Sequence, residues 1–338
     1  MTVIRLGSLC TGIAGLELGL TLAGIETETV FVSDIDRGAN RWLDANEAAP
    51  NLGDFTALDE LPDVDLIVAG FPCQPVSTAG QRAGIHDERW IFDDITRLVS
   101  RMGTRPDLFL ENVPGLLSAN GGDAMGRVVY GLAGIGYGIS WGTLSAAAVG
   151  APHRRNRWWG LARHTDGPHE DARPATVSES RQRFSEPDSV ASHADGMART
   201  ATRTRHDRTG LDSEPRPRID TRPSHAADAD RASSEARLDT RHRSERLRIQ
   251  PVGYPAPAPD ADRFGRYADA VARWEIILGR AAPDPTDDGR LAPAFVEWMM
   301  GYPAGWVTNT LTNRREALHA LGNAVVPQCV AAAFVALE

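Results

Sequence analysis

The chain contains no lysine, so all 36 of its basic side chains are arginine, a bias that hints at GC-rich coding and says little about function. Cysteine is nearly as scarce. Cys10, Cys73 and Cys329 are odd in number and far apart, which excludes a disulfide framework and fits a reducing compartment where a usable thiol is permitted. No stretch approaches the roughly 20 consecutive apolar residues needed to cross a bilayer. The opening "MTVIRLGSLC" also lacks a charged region followed by an apolar one. The expectation is a soluble, unexported, cytoplasmic protein with no membrane partner. Positive charge is short overall: the formal net charge of -9 disfavours a polyanion partner if it is evenly spread. It is not evenly spread. Residues 163–250 hold 17 arginines against 16 acids, which leaves 19 against 29 elsewhere, so the middle of the chain is where a polyanion is least repelled. That middle also lacks rings, with Phe184 its only Phe, Tyr or Trp. A segment so poor in apolar groups reads as low-complexity, disordered or loosely folded until it meets a partner.

What the chain does have is 338 residues that are 42% hydrophobic, enough for one large or two moderate domains. Up to residue 162, apolar runs alternate with helical patterns, the arrangement of parallel strands joined by crossover helices. "VIRLGSLC", "ETVFVSDID", "VDLIVAG", "PDLFLENV", "GISWGTLSA" and "RWWGLAR" read as strands, with helices after the glycine turn "TGIAG" and around 92–103 and 122–135. The fold class is therefore α/β, a doubly wound, mostly parallel sheet. A short phrase recurs around Asp166, Asp195, Asp230 and Asp262, at spacings of 29, 35 and 32 residues. Duplicated small units and simple low complexity both produce such a pattern. Helical periodicity and large apolar groups return in "FGRYADAVARWEIILG" and "LAPAFVEWMMGYPAGW".

Three features bear on chemistry. "GSLCTGIAG" (Gly7 to Gly15, with Gly12 between) lies where a strand turns into a helix, so backbone amides and a helix dipole face an anionic or polar cofactor group. About 20 residues on, Asp34 closes the second strand, the position from which such folds accept ribose hydroxyls. Asp54 would close a third strand and reach an adenine amino group, or else cap a helix. In "GFPCQPVS", two prolines stiffen a loop around Cys73 directly after an apolar strand. That thiol is either presented for chemistry or is a small apolar residue at a strand end. On the residues alone, Glu111 in "LENVPGL" is a turn cap as readily as an acid, Arg155 and Arg157 in "APHRRNRWW" are a solvated basic edge, and Asn323 in "ALGNAVVPQCV" is a helix cap.

Taken in order, these blocks resemble the DNA (cytosine-5) methyltransferase family, over residues 3–162 and 291–338. The resemblance implies a catalytic domain of residues 1–162 plus 308–338, S-adenosylmethionine-binding and Rossmann-like, with a target-recognition region, 163–307, inserted near the C-terminus. It assigns Cys73 as nucleophile on carbon 6 of cytosine and Glu111 as the acid facing ring nitrogen 3. Arg157 binds the ring carbonyl oxygen, and Arg155 supports the loop or a phosphate. Gly12, Gly15, Asp34, Ile35, Asp54 and Asn323 fall at cofactor positions, and Gln74, Ser77 and Asn112 at substrate positions. The implied cofactor is S-adenosylmethionine and the implied partner double-stranded DNA, with no metal, a monomeric enzyme, and a cognate restriction endonuclease as an optional partner. Because the target base must leave the duplex, "STAGQRAGIHDERW" (77 to 90) has the composition of a closing lid. Transfer RNA as substrate, or nucleic-acid binding without turnover, are the rival readings. The chain departs from the family pattern in Asp34 where a glutamate is usual, His153 where a glutamine is common, and Ala14 where a glycine is frequent.

Overall fold

The apolar runs form strands whose side chains alternate between two buried layers, the period of two that a sheet covered on both faces requires. The computed structural model describes residues 3–72, 90–165 and 258–338. Strands β1 (Ile4–Leu9), β2 (Thr27–Ser33), β3 (Leu66–Gly70), β4 (Asp107–Asn112), β5 (Tyr137–Ser145) and β6 (Asn156–His164) make one sheet in the order β2-β1-β3-β4-β6-β5. Leu66, Val68, Phe109, Trp159 and Leu161 point to one layer, and Ile67, Ala69, Leu108, Leu110, Trp158 and Ala162 to the other. Helices α3 (Phe92–Val99) and α4 (Asp123–Gly134) cover the second layer through Ile95, Leu98, Val128 and Leu132. The first is covered by α1 (Gly15–Leu22) and by elements from the far end of the chain, namely α6 (Ala268–Leu278), α7 (Pro293–Met299), α8 (Arg314–Asn323) and α9 (Pro327–Leu337). α2 (Arg37–Asn46), whose N-terminus is capped by Asp36, adds Trp42 and Leu43 to that layer. The single turn α5 (Ala261–Phe264) and the small hairpin β7 (Thr286–Asp287) and β8 (Arg290–Leu291) complete the described α-helices and strands, which short 3-10 turns connect. The chain divides into a unit of Met1–Ser185 with Ile249–Glu338 and a second, Glu186–Arg248, which lies outside the described residues, as does most of the arginine-rich stretch.

Two topological facts position the site. The strand order reverses between β1 and β3, so a crevice opens at their C-terminal ends, where doubly wound sheets bind ligands. β6 is antiparallel to both β4 and β5. Its first residues therefore arrive at the same rim as the last residues of β3 and β4. The third strand expected up to Asp54 is not formed. Pro50 cannot donate to a ladder and Gly53 adopts a left-handed φ of 70°, so the segment pairs with β2 at one bridge, Val32 with Asn51, and Asp54 caps a 3-10 turn at Phe55–Ala57.

The last helix seats on the first through missing side chains. A Cβ at Gly15 would fall 2.2 Å from the Tyr302 hydroxyl, and one at Gly19 would fall 2.2 Å from Cβ of Val330. α1 also carries a buried carboxyl, Glu17, neither of whose oxygens has a hydrogen-bond partner among the described residues. Burial raises its pKa to about 7, with the Ser8 hydroxyl near enough to moderate the shift but not at hydrogen-bonding geometry. The sign follows from linkage: a carboxyl that ionises less readily when folded lends stability that is full below the unfolded carboxylate range and lost as pH rises through about 7. Glu17→Gln is therefore expected to raise unfolding stability at pH 8, by about 2–3 kcal/mol, and to change it little at pH 4. Denaturant midpoints at the two pH values test this, and equal shifts at both would contradict it.

Candidate active site

β1 ends in a turn that takes left-handed backbone at alternate residues, with Cys10 at φ 53°, Gly12 at 61° and Ala14 at 54°. Two of these carry side chains, at a cost of about 1–2 kcal/mol each, so the turn is held by its surroundings. Thr11 bonds across to Ser33, and the Gly12 N–H donates to Asp34 Oδ2 at 2.8 Å. Asp34 Oδ1 accepts the Asp36 N–H at 2.8 Å, so its carboxylate braces two bends at the crevice mouth. Burial raises its pKa against the pull of those amides. Beside it, Ile35 is 72% exposed, an apolar side chain left on the rim. A Cβ at Gly12 would meet nothing within 4 Å, so the turn faces open space there. Asp54 accepts from Thr56 N and Oγ1, which makes it the turn cap that the residues alone allowed.

The second half of the site lies on the rims of β3, β4 and β6. Glu111 pairs in register with Gly70 on one side and Trp159 on the other, and it is buried. Arg157 Nε contacts its Oε1 at 2.8 Å, while Arg157 Nη1 donates to the Asn156 carbonyl. Burial pushes the Glu111 carboxyl above its usual range, and the charges of Arg157 and then Arg155 oppose that shift. Asn112 is buried; its Nδ2 donates to the Phe71 carbonyl at 3.2 Å and its Oδ1 accepts from Val113 N. It thus braces the start of the Pro-Cys loop against the Glu111 strand. The structure follows that loop through Pro72, and Cys73, Gln74 and Ser77 lie outside the described residues, as does the 77–89 part of the expected lid.

Arg155 does not face the pair as a second ligand. Its Nη2 donates to the carbonyls of Gly322, at 2.9 Å, and of Ala324, which flank Asn323. Its Nε is buried without a partner among the described residues. Burial, reinforced by the Arg157 charge, lowers its pKa to about 10. Arg155 therefore fastens the junction of α8 and α9 to the base of β6, and Asn323 stands exposed on that junction with its amide 3.5 Å from His319. His153 makes a similar tie. Its Nε2–H donates to the Met299 carbonyl at 3.0 Å, and burial lowers its pKa, so a neutral imidazole supplies the single N–H needed there. The structure thus gathers Gly12, Asp34 and Ile35 at one end of the rim and Glu111, Asn112, Arg155 and Arg157 at the other. Gly15 serves the packing of α1.

A sequence profile of the C-5 cytosine-specific DNA methylase family matches residues 4–338, nearly the whole chain. The chain belongs to that family. Among curated relatives of this chain, the type II methyltransferase M.BsuFI of Bacillus subtilis is 37% identical over 153 residues, 44% of this chain and 36% of that protein. Type II methyltransferase M.BanI of Aneurinibacillus aneurinilyticus is 34% identical over 160 residues, 46% and 37%. The matched stretches span little more than a third of those relatives. Solved structures extend the likeness in fold to both whole chains. The Dnmt2 methyltransferase of S. pombe superposes with a TM-score of 0.54 at 17% identity, covering 99% of this chain and 98% of that one. A putative DNA modification methyltransferase encoded within an E. coli prophage gives 0.53 at 18%, with coverages of 99% and 98%.

Proposed function

We propose that this methylase transfers a methyl group from S-adenosylmethionine to carbon 5 of a cytosine in double-stranded DNA. The observation that carries the reading is the buried Glu111–Arg157 pair on the rim where the Pro-Cys loop leaves β3. The crevice fits the cofactor: exposed Ile35 offers an apolar face, Asp34 a carboxylate at the mouth, and Gly12 unfilled space. Carbon 5 of cytosine is a poor nucleophile, so the Cys73 thiolate adds first to carbon 6 and moves electron density onto carbon 5. Glu111, whose proton burial makes harder to lose, donates toward ring nitrogen 3 as negative charge grows there. Arg157 keeps donors beyond those spent on Glu111 and Asn156, and these reach for the ring carbonyl oxygen. When bound, S-adenosylmethionine supplies the methyl group that carbon 5 takes up. Loss of the carbon 5 proton then lets the sulfur–carbon bond break, which restores both the ring and the thiolate.

The reading is tested by base-resolution methylation sequencing of DNA from a methylation-free bacterium expressing this chain. Methylated cytosines confined to one short motif are expected. Unmethylated DNA beside methylated transfer RNA would move the substrate to RNA, and neither product from soluble, cofactor-binding protein would make it a non-catalytic binder.

A further inference from the structure

The most heavily bonded carboxylate in the described structure lies outside the site. Glu297, on α7, is 1% exposed. Its Oε1 accepts the Gly305 N–H at 2.7 Å, and its Oε2 accepts the Val307 N–H at 2.7 Å, the Thr308 N–H at 3.0 Å and the Thr308 hydroxyl at 3.3 Å. Charge-assisted bonds of this kind are among the strongest available to a loop, and here they fix one short turn, Gly305 to Thr308. Gly305 takes a φ of 80°, and a Cβ there would fall 2.3 Å from the Asn309 side chain, so the turn has no easy alternative.

The turn projects Trp306 back across the molecule. Its indole N–H donates to the carbonyl of Ile13 at 2.9 Å, inside the strained turn after β1, 293 residues away in sequence. Its own carbonyl accepts the Trp42 indole N–H from α2 at 2.6 Å, and the two rings lie 5.3 Å apart. Ile13 sits between Gly12, which Asp34 holds, and Ala14, which carries a left-handed strain of its own. The two clamps therefore grip neighbouring residues. Without the second, a turn with non-glycine residues at two left-handed positions gains freedom to relax.

We infer that Glu297 and Trp306 are positioning residues for cofactor binding, acting through the shape of the 10–14 turn rather than by contact with the reacting groups. The inference rests on the S-adenosylmethionine reading above. Its physical content is preorganisation: affinity falls by the fraction of molecules whose turn is correctly formed. Trp306→Phe removes the indole N–H and keeps a ring, whereas Glu297→Gln keeps the shape but turns an NH2 group toward N–H donors.

The test measures S-adenosylmethionine affinity by calorimetry and amide hydrogen exchange of residues 11–16 without cofactor, in wild-type protein and both variants. The expected result for Trp306→Phe is affinity weaker by about tenfold and exchange faster by a similar factor, the scale of one lost hydrogen bond. Glu297→Gln should lose more. At saturating cofactor, kcat should stay within about twofold of wild type, since the reacting groups are untouched. A fall in melting temperature with affinity and local exchange unchanged would overturn the inference and leave a merely structural role. Wild-type protein that binds no S-adenosylmethionine would sink the cofactor reading and this inference together, whereas wild-type binding beside unaltered variants would sink this inference alone.

Discussion

Cys73→Ser is expected to abolish methyl transfer, by about 10⁴-fold or more, while cofactor affinity stays as in wild type. The chemistry explains the asymmetry. Addition to carbon 6 needs a soft anion at neutral pH, and an alcohol is far less ionised than a thiol, so the serine variant lacks the attacking species. The crevice proposed for the cofactor is built from β1, β2 and the turn after β1, and the bonds that hold that turn run among Thr11, Gly12, Ser33, Asp34 and Asp36. The remaining thiols cannot take over. Cys10 is held protonated far above its usual range by burial and then by the nearby charges of Asp34 and Asp54, and burial pushes Cys329 up to about 12. The covalent step has its own signature. DNA carrying 5-fluorocytosine should trap the wild-type protein in a cofactor-dependent adduct, because fluorine cannot leave as the proton does. Mass spectrometry should place that adduct on Cys73. A serine variant that still methylates DNA, or an adduct on another residue, would overturn the assignment.

Part of this rim is legible in the sequence, for a reason visible in the sheet. Strand ends are announced locally by an apolar run that stops at a polar residue, so Asp34 and the start of the Pro-Cys loop could be placed at strand ends from periodicity, while Glu111 owed its place to the family resemblance. Groups defined by distant partners were not readable. Nothing near Glu297 in sequence shows that its carboxylate gathers Gly305, Val307 and Thr308, nor that Trp306 then reaches Ile13. Asp54 failed as a strand end because Pro50 and Gly53 leave room for one bridge only. Ala14 also yields to tertiary context: it takes the backbone conformation that favours glycine, buried under the elements that hold the turn. His153, which stands where the family commonly has glutamine, is likewise defined by a distant partner, its N–H reaching the Met299 carbonyl.

The second large effect falls on the Glu111–Arg157 pair, and there the pH profile decides more than the rate. Glu111→Gln should lower kcat by about 10²–10³-fold, the usual consequence of losing one preorganised donor or acid. Loss of rate alone does not show that a proton was involved. Glu111 serves as acid only while protonated, and burial keeps it so toward higher pH, so the wild-type rate should fall as pH rises through the elevated Glu111 value. In Glu111→Gln nothing is left to ionise at that position, and this descending limb should vanish. Arg157→Met should act in the opposite sense on the limb. The guanidinium stabilises the carboxylate and holds the shift down, so its removal raises the Glu111 value further and moves the limb to higher pH, even as the maximal rate drops. Loss of the partner also leaves a buried acid to take up a proton rather than remain an uncompensated charge, which limits the destabilisation that breaking a buried pair would otherwise cause. A limb that persists unmoved in Glu111→Gln would assign it to another group and return Glu111 to the role of a structural anchor for Arg157.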